Sequence, residues 1–163
     1  MQLMNKSKIV TLILLNLVSI YWVRAQSGYL QTGIYHVADS SNGVRCKYVL
    51  IRDTAFLYLL PEPILTAKNM KSLKIEHSAL IDNWELMIGL NKRGKRIWRS
   101  ATARSVGKRI VFVLDNSVLV APNITEAVTT GQIGIAGNYT HEQLETFKIT
   151  LKKEHHKIVR PHP

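Results

Sequence analysis

The sequence predicts an α+β protein of a single domain, in which two main helices pack on one face of an antiparallel-rich sheet. Short β-branched and aromatic runs recur along the chain, two longer segments have helical periodicity, and no linker divides them. The chain has 163 residues and is 46% hydrophobic, which provides a core for one domain. A charged fraction of 20% and a mean hydropathy near zero exclude a disordered chain and a polytopic membrane protein.

The first 25 residues have the layout of a secretory signal peptide. Lys6 and Lys8 precede an apolar run that ends at Val23, and Ala25 closes the segment with a small residue. The run is shorter than the roughly 20 residues that a membrane span needs. We therefore expect an exported protein. An uncleaved membrane anchor formed by residues 9–23 is the alternative.

Strand patterns dominate the chain after this leader. Gln26–Arg45 is expected to be an extended lead-in that contains a turn, and Thr66 is expected to cap a short helical turn over Ala67–Met70. Asp115-Asn116 has the length of a tight hairpin turn. Short apolar or alternating segments predict strands at Lys47–Ile51, Phe56–Leu60, Leu73–His77, Trp84–Leu90, Ile110–Leu114, Ser117–Val120 and Gln132–Ala136.

Two segments have helical periodicity. Lys95–Ser105 places its apolar and small residues on one side, after a predicted turn at Asn91–Gly94. The second helix begins at a capping box formed by Thr140 and Gln143 and is expected to end near Lys152. The predicted organisation is therefore a signal peptide at 1–25, an N-terminal lead-in with strands at 26–62, the α+β domain proper at 63–152 and a flexible basic tail at 153–163.

The sequence contains no local signature of an enzyme or a metal centre. His141-Glu142 begins like the zinc motif H-E-x-x-H, but Glu145 stands where the second histidine must be. The single cysteine, Cys46, excludes an intramolecular disulfide and is expected to be an inert core thiol. We therefore expect no catalytic residue, no cofactor and no metal. A hydrolase that uses Asp115 is the alternative. Hairpin tips favour Asp for local hydrogen bonding, which explains this residue without a catalytic role.

Positive charge is the strongest physical signal in the chain. The formal net charge is +11, and no acidic residue occurs between Glu85 and Asp115. Such a cluster is either a solvated face or a surface that attracts acidic polypeptide or anionic lipid headgroups. Nucleic acid is not expected, because we expect export and because exposed aromatic residues do not interleave with the cations. The cations in this interval are Lys92, Arg93, Lys95, Arg96, Arg99, Arg104, Lys108 and Arg109.

The second half of the chain contains an ordered set of motifs. Ile110–Ile124 contains two apolar strands around Asp-Asn, and Ala121-Pro122 follows the second strand. Gly131 comes next, and Ile135–Thr140 then opens the last helix. In this order and spacing the motifs resemble the first periplasmic domain of SecD and SecDF, the membrane subunits of the bacterial preprotein translocase. Asn116 stands where that family has glycine, a substitution that Asn tolerates at positive φ. Tyr139 stands where the family has phenylalanine.

The resemblance covers about Pro63–Leu151 and points to the head subdomain of that periplasmic domain. It implies a protein-binding module of the bacterial periplasm or cell envelope that contacts extended or unfolded polypeptide or an envelope protein, without catalysis. Peripheral attachment to an anionic membrane, through the basic helix or an uncleaved leader, is the alternative. Transmembrane helices of the translocase subunit are not evident after the leader, so transport is not implied. The expected binding residues are Lys95, Arg96, Arg99 and Arg104; the expected structural motif positions are Gly94, Asp115, Asn116, Pro122, Gly131, Gly137 and Thr140.

Overall fold

The computed structural model describes residues 30–49, 54–79 and 82–159. The predicted signal peptide lies outside the described residues. Within these residues the chain forms nine strands, one 3-10 helix and two α-helices. In chain order they are β1 (Gly33–His36), β2 (Val44–Val49), β3 (Thr54–Leu59), β4 (Leu65–Thr66), the 3-10 helix (Ala67–Asn69), β5 (Met70–Ser78), β6 (Asn83–Leu90), α1 (Lys92–Arg104), β7 (Ile110–Leu114), β8 (Ser117–Val120), β9 (Gln132–Ala136) and α2 (His141–Val159).

The strands form three antiparallel sheets, which confirms the predicted α+β class. The strand orders are β4-β1-β7-β8, β2-β3 and β5-β6-β9. Where one sheet was expected, the strands are therefore divided, and two irregularities accompany the division. The β7–β8 register shifts between Phe112 and Val113, and the β5–β6 register shifts between Met70 and Ser72. Such bulges increase the local twist and interrupt pairing.

Strand β1 is the main element that the sequence did not predict. It pairs with both β4 and β7 and so belongs to the four-stranded sheet, whereas β2 and β3, which also precede Pro63, form a sheet of their own. Its Ile34 and Tyr35 are almost completely buried, at 1% and 0% exposure. The polar lead-in around this short strand hides it from pattern reasoning, because its stability comes from partners that are distant in the sequence.

Strand β7 lies between two hydrophobic clusters. Phe112 and Leu114 belong to a large cluster that is completed by residues of β5, β6, β9 and both helices. Val111 and Val113 point to the other face and pack in a smaller cluster with the buried Cys46. Burial raises the pKa of the Cys46 thiol, which agrees with the expected inert core cysteine. All five β7 residues are buried.

Helix α1 begins three residues earlier than predicted, at Lys92. The Asn91 side chain accepts a hydrogen bond from the Gly94 backbone N–H at 2.9 Å and donates one to the Lys68 carbonyl at 2.9 Å. Asn91 is therefore the N-cap, and the predicted turn at Asn91–Gly94 is the first turn of the helix.

Helix α2 continues to Val159, so the prediction that residues 153–159 are a flexible tail is wrong. His155 Nδ1 lies 2.9 Å from the Ala67 carbonyl oxygen, and Lys157 forms an ion pair with Glu154 at 2.9 Å. These contacts stabilise turns that lack an apolar period. At the other end, the predicted capping box of Thr140 and Gln143 is present. Neither α-helix of the described residues has the length and apolar composition that a membrane span requires.

Candidate functional site

The candidate site is the exposed side of α1, which we call the basic face. The opposite side of the helix is buried through Gly94, Trp98, Ala101 and Thr102. Because a helix turns by about 100° per residue, the charged positions between these residues must point to solvent. The basic face consists of the exposed side chains Lys92, Arg93, Lys95, Arg96, Arg99 and Arg104.

A shallow groove of about 420 Å³ runs along one flank of this face, and we call it the helix groove. It is lined by Arg93, Arg96 and Arg104, together with Ser100 and the half-buried Ile97. Of the predicted binding residues, the structure thus brings Arg96 and Arg104 together. Arg93 joins them although the sequence did not single it out for binding. The sequence feature that could have indicated Arg93 is Asn91, because an N-cap at this position places residue 93 inside the helix.

Lys95 and Arg99 do not line the helix groove. A Cβ atom built at Gly131 would lie 2.7 Å from Lys95 Cγ, so the aliphatic stem of this lysine covers the glycine. This stem therefore lies on the side of α1 that faces the loop before β9. The four predicted binding residues therefore do not share one flank of the helix: Arg96 and Arg104 line the helix groove, whereas Lys95 lies against Gly131.

The charge of the basic face is uncompensated among the described residues. Among the described residues, ion pairs join His77 to Asp82, Glu145 to Lys148 and Glu154 to Lys157. None of them includes a cation of α1. Unpaired cations on one helix face produce a positive field that attracts acidic partners, and this attraction weakens as salt rises. The same residues contain no cluster of three metal-ligating side chains.

The predicted hairpin tip has a structural role. Asp115 and Asn116 adopt positive φ angles of 46° and 61°, as a tight hairpin turn requires. The Asn116 side-chain oxygen accepts a hydrogen bond from the Leu30 N–H at 2.9 Å, and the Asp115 N–H donates one to Thr32 Oγ1 at 3.2 Å. The tip therefore holds the chain segment that leads into β1.

Two of the predicted motif glycines mark close approaches to α1. A Cβ atom at Gly94 would lie 2.8 Å from the Asn69 carbonyl oxygen, so only glycine lets the helix pack this closely on the 3-10 helix. Gly131 has a φ of 71°, and its carbonyl accepts a hydrogen bond from the Leu90 N–H at 2.9 Å. Both glycines thus position α1 and the loop beside it.

Pro122 and Gly137 stand at the ends of strands. The Pro122 carbonyl accepts a hydrogen bond from the Ile110 N–H at 3.2 Å, just after β8 ends. The Gly137 carbonyl accepts one from the Asn83 side chain at 2.8 Å, which joins the end of β9 to the start of β6. These motif positions fix the loops that surround the sheets.

One open sheet edge, that of β5, adjoins a small pocket. Among the described strands β5 pairs with β6 alone, which leaves its other edge without a partner strand. A pocket of about 110 Å³ adjoins the start of this strand, where Met70, Leu73 and Leu151 supply its apolar lining and His155 a polar side. An unpaired edge beside a side-chain pocket is the geometry that accepts a peptide as an added strand.

An apolar pocket between the sheets was not expected from the sequence. It has a volume of about 160 Å³ and lies near β8 and β9, lined by Phe112, Val120, Ile133 and Trp98 among others. Trp98 is 5% exposed, and its indole N–H has no hydrogen-bond partner among the described residues. Periodicity identified Trp98 as a core residue, but it could not indicate the pocket beside it.

Comparison with known proteins places this geometry in a family. The model of the SecDF P1 head subdomain matches residues 45–154, which includes the β2–β3 hairpin that precedes the resemblance found in the sequence. The chain is 31% identical over 108 residues to protein translocase subunit SecD of Desulfurispirillum indicum, covering 66% of this chain and 19% of that protein. It is 30% identical over 106 residues to SecD of Dictyoglomus turgidum, covering 63% and 26%. The chain thus spans about a fifth to a quarter of these relatives.

Solved structures give the same fold. The crystal structure of SecDF in its super-membrane-facing form matches with a TM-score of 0.61 at 18% identity, over 74% of this chain and 18% of that one. A structure of SecDF, described as a membrane component that enhances protein export, matches with a TM-score of 0.57 at 19% identity, over 75% and 63%. Together with the family match over most of the chain, this agreement leads to one conclusion: the chain belongs to the SecDF P1 head subdomain family.

Proposed function

We propose that this chain is an exported, non-catalytic module that binds extended or unfolded polypeptide through the basic face of α1 and an open sheet edge. The observation that carries the proposal is the helix groove, in which Arg93, Arg96 and Arg104 lie together without an acidic partner among the described residues. The relatives named above are subunits of a protein translocase, which supports polypeptide as the ligand class.

The chemistry of the helix groove suits acidic stretches of polypeptide. Guanidinium groups bind carboxylates with paired N–H donors and are less strongly hydrated than ammonium groups. Ser100 adds a hydroxyl group, and the half-buried Ile97 adds apolar surface between the arginines. Such a surface attracts many acidic sequences without selecting one, as a module for unfolded chains requires.

The open edge of β5 provides the second contact. Backbone N–H and C=O groups along this edge can pair with any extended segment, because the pairing does not depend on side-chain identity. The pocket lined by Met70, Leu73 and Leu151 then receives one apolar side chain of the added strand. Sequence-independent pairing and one apolar anchor together suit a ligand that passes the module in extended form.

Calorimetric titration of the chain with unfolded secretory polypeptides, at low and moderate salt, tests the proposal. We expect binding that weakens as salt rises. Arg93→Glu combined with Arg96→Glu should weaken it by about tenfold or more, because two attractive contacts become repulsive. Lys153→Glu is the matched control, since it reverses an exposed charge on α2. Absence of binding at either salt concentration would reject the proposal.

The basic face also favours a second candidate, peripheral attachment to an anionic membrane. Lys92, Arg93, Arg96 and Arg99 are exposed along one helix, and each cation near an anionic surface contributes about 1 kcal/mol. Flotation with phosphatidylglycerol vesicles, against phosphatidylcholine vesicles, separates the two candidates. The polypeptide-binding module should remain at the bottom of the gradient when its N-terminal leader has been removed, whereas the membrane-bound protein should float with anionic vesicles alone.

A further inference from the structure

A second groove lies outside the helix groove, between the end of β1, β3 and the connection from α1 to β7. Its volume is about 510 Å³. Val37, Leu57 and Leu60 supply apolar lining, and Lys108 and Arg109 supply positive charge. We call it the β3 groove. The helix groove is lined by none of these residues, so the two surfaces can be altered independently.

Backbone hydrogen bonds hold both walls of the β3 groove. On one side, the Leu60 N–H donates to the His36 carbonyl at 3.0 Å, which joins the end of β1 to β3. On the other side, the Ile124 N–H donates to the Lys108 carbonyl at 2.9 Å, and the Gly107 N–H donates to the Ile124 carbonyl at 2.8 Å. The groove is therefore preorganised, which reduces the conformational entropy lost when a ligand binds.

The apolar part of the groove is accessible. Val37 is 38% exposed, although it extends a strand through a bridge to Leu59. Leu57 and Leu60 beside it are half-buried. Exposed apolar surface at the edge of a fixed wall provides a contact for one aliphatic side chain of a ligand.

The polar part of the groove is cationic. Lys108 and Arg109 form no ion pair among the described residues, and Arg109 Nε donates only a long hydrogen bond, 3.4 Å, to the Asn123 side chain. Burial, followed by the charges of Arg104 and Lys108, holds the pKa of His36 below its ordinary value of 6.5. The lining includes one carboxylate, that of Asp39. Positive charge thus exceeds negative charge around an apolar contact.

We propose that the β3 groove binds a short acidic peptide segment in which an aliphatic side chain lies beside a carboxylate. The aliphatic side chain contacts Val37 and Leu57, and the carboxylate interacts with Lys108 and Arg109. This inference rests on the proposed function, because both name polypeptide as the ligand. It adds a second surface on the same module and a sequence preference that the helix groove alone does not provide.

The test uses the full chain and a capped hexapeptide of alternating leucine and glutamate, with a leucine–glutamine hexapeptide as its uncharged match. Chemical-shift mapping by NMR is expected to show shifts at residues 36–42, 57–60 and 107–109 with the acidic peptide alone. The charged groups around the His36 ring are those of Arg104, Lys108, Arg109 and Asp39. A bound carboxylate adds negative charge among them and should therefore stabilise the protonated His36 imidazole. The His36 ring resonances are therefore expected to titrate at higher pH in the complex.

Two substitutions locate the binding. Lys108→Glu together with Arg109→Glu is expected to weaken binding of the acidic hexapeptide by about tenfold or more. Val37→Thr keeps the shape of the side chain, adds a hydroxyl group to the apolar contact and is expected to weaken binding by about threefold. Lys153→Glu on α2, which lies outside both grooves, is the control and should leave this affinity unchanged.

The outcomes separate this inference from the proposed function. If Arg96→Glu abolishes hexapeptide binding while the Lys108/Arg109 variant retains it, the β3 groove is not the site, although the proposed function stands. Failure of the hexapeptide to bind, or equal binding of its uncharged match, also overturns the inference without affecting the titration of unfolded secretory polypeptides. Shifts of the β3 groove resonances with phosphatidylglycerol vesicles but not with the peptide would assign the groove to lipid headgroups. This result would also reject the inference that the groove binds an acidic peptide.

Discussion

His36 makes the stability of the protein depend on pH at the scale of one residue. Its ring is partly buried, its Nδ1 lies 3.3 Å from Ser105 Oγ, and Arg104 and Lys108 add positive charge. These surroundings lower its pKa in the folded state below 6.5. Between the folded and the unfolded pKa, the unfolded chain binds more protons, so the free energy of unfolding rises with pH in this window.

The prediction is that lowering the pH below 6.5 destabilises the fold and that His36→Gln reduces this dependence. Urea unfolding between pH 5 and 8 measures the slope for both proteins. Above pH 7 the wild-type and variant proteins should differ little in their pH dependence, since His36 is then neutral in both states. An identical slope below pH 6.5 in the two proteins would contradict the role assigned to His36.

Asn116 combines a backbone requirement with a hydrogen bond. Its φ of 61° is costly for residues other than Gly, Asn and Asp, by about 1–2 kcal/mol, and its side chain accepts from the Leu30 N–H. Asn116→Ala should therefore destabilise the protein by about 2 kcal/mol, because it loses both contributions. Asn116→Gly loses the hydrogen bond alone and should lower the free energy of unfolding by about 1 kcal/mol.

Chemical denaturation of the two Asn116 variants checks this prediction. Asn116→Asp is the control, because Asp retains an acceptor and tolerates the left-handed conformation. Equal destabilisation by Ala and Gly would mean that the backbone conformation at this position contributes nothing.

The hairpin tip was predictable because Asp-Asn between two apolar runs is a local signal. The surroundings of His36 were not, since Arg104 and Lys108 come from a distant part of the sequence.

At the scale of elements, Gly94 determines how closely α1 approaches the 3-10 helix. Alanine favours helices over glycine by about 1 kcal/mol. A methyl group here, however, would meet the Asn69 carbonyl at 2.8 Å, and a backbone oxygen cannot move as a flexible side chain does. Overpacking of this kind costs about 1–3 kcal/mol. The steric cost should therefore exceed the gain in helix propensity.

We predict that Gly94→Ala lowers the free energy of unfolding by about 1–2 kcal/mol. Thermal and urea denaturation measure the change. Ser100→Ala is the matched control in the same helix, and at that exposed position the change should stay within about 0.5 kcal/mol. Stabilisation by Gly94→Ala would indicate that the helix can move away from the 3-10 helix at little cost.

Elements with local signals were predictable, and those that depend on distant partners were not. The strands Ser117–Val120 and Gln132–Ala136 occur where their alternation and turns predicted them. Strand β1 and the last turns of α2 have weak patterns of their own and are stabilised by β7 and by the Ala67 carbonyl. For the same reason the charge of α1 was evident in the sequence. The division of its cations between two flanks required the start of the helix and the contact of Lys95 with Gly131.

At the scale of the whole molecule, the folded unit is larger than the family match. The match begins at residue 45, but β1 lies before it and is an inner strand of the four-stranded sheet. Ile34 and Tyr35 bury large side chains, each worth about 1.5–3 kcal/mol. Their loss, together with the ladder hydrogen bonds to β4 and β7, is comparable with the 5–15 kcal/mol by which domains are stable.

A chain shortened to residues 45–154 is therefore predicted not to fold cooperatively, whereas residues 26–159 should fold. Circular dichroism and urea titration of both distinguish the two cases, and the longer chain is the control for loss of the leader. A sharp unfolding transition in the shorter chain would show that β1 is dispensable. Tests of binding should accordingly use chains that retain the N-terminal strands.

The burial of β7 on both faces has a further consequence for how the molecule loosens. Val111 and Val113 pack in one cluster while Phe112 and Leu114 pack in the other, so neither cluster can open without disturbing the strand they share. Amide hydrogens along this strand should exchange with solvent only when the whole chain opens. Fluctuations that admit water to one side of the molecule are thus coupled to the other, and its surfaces respond as parts of a single cooperative body.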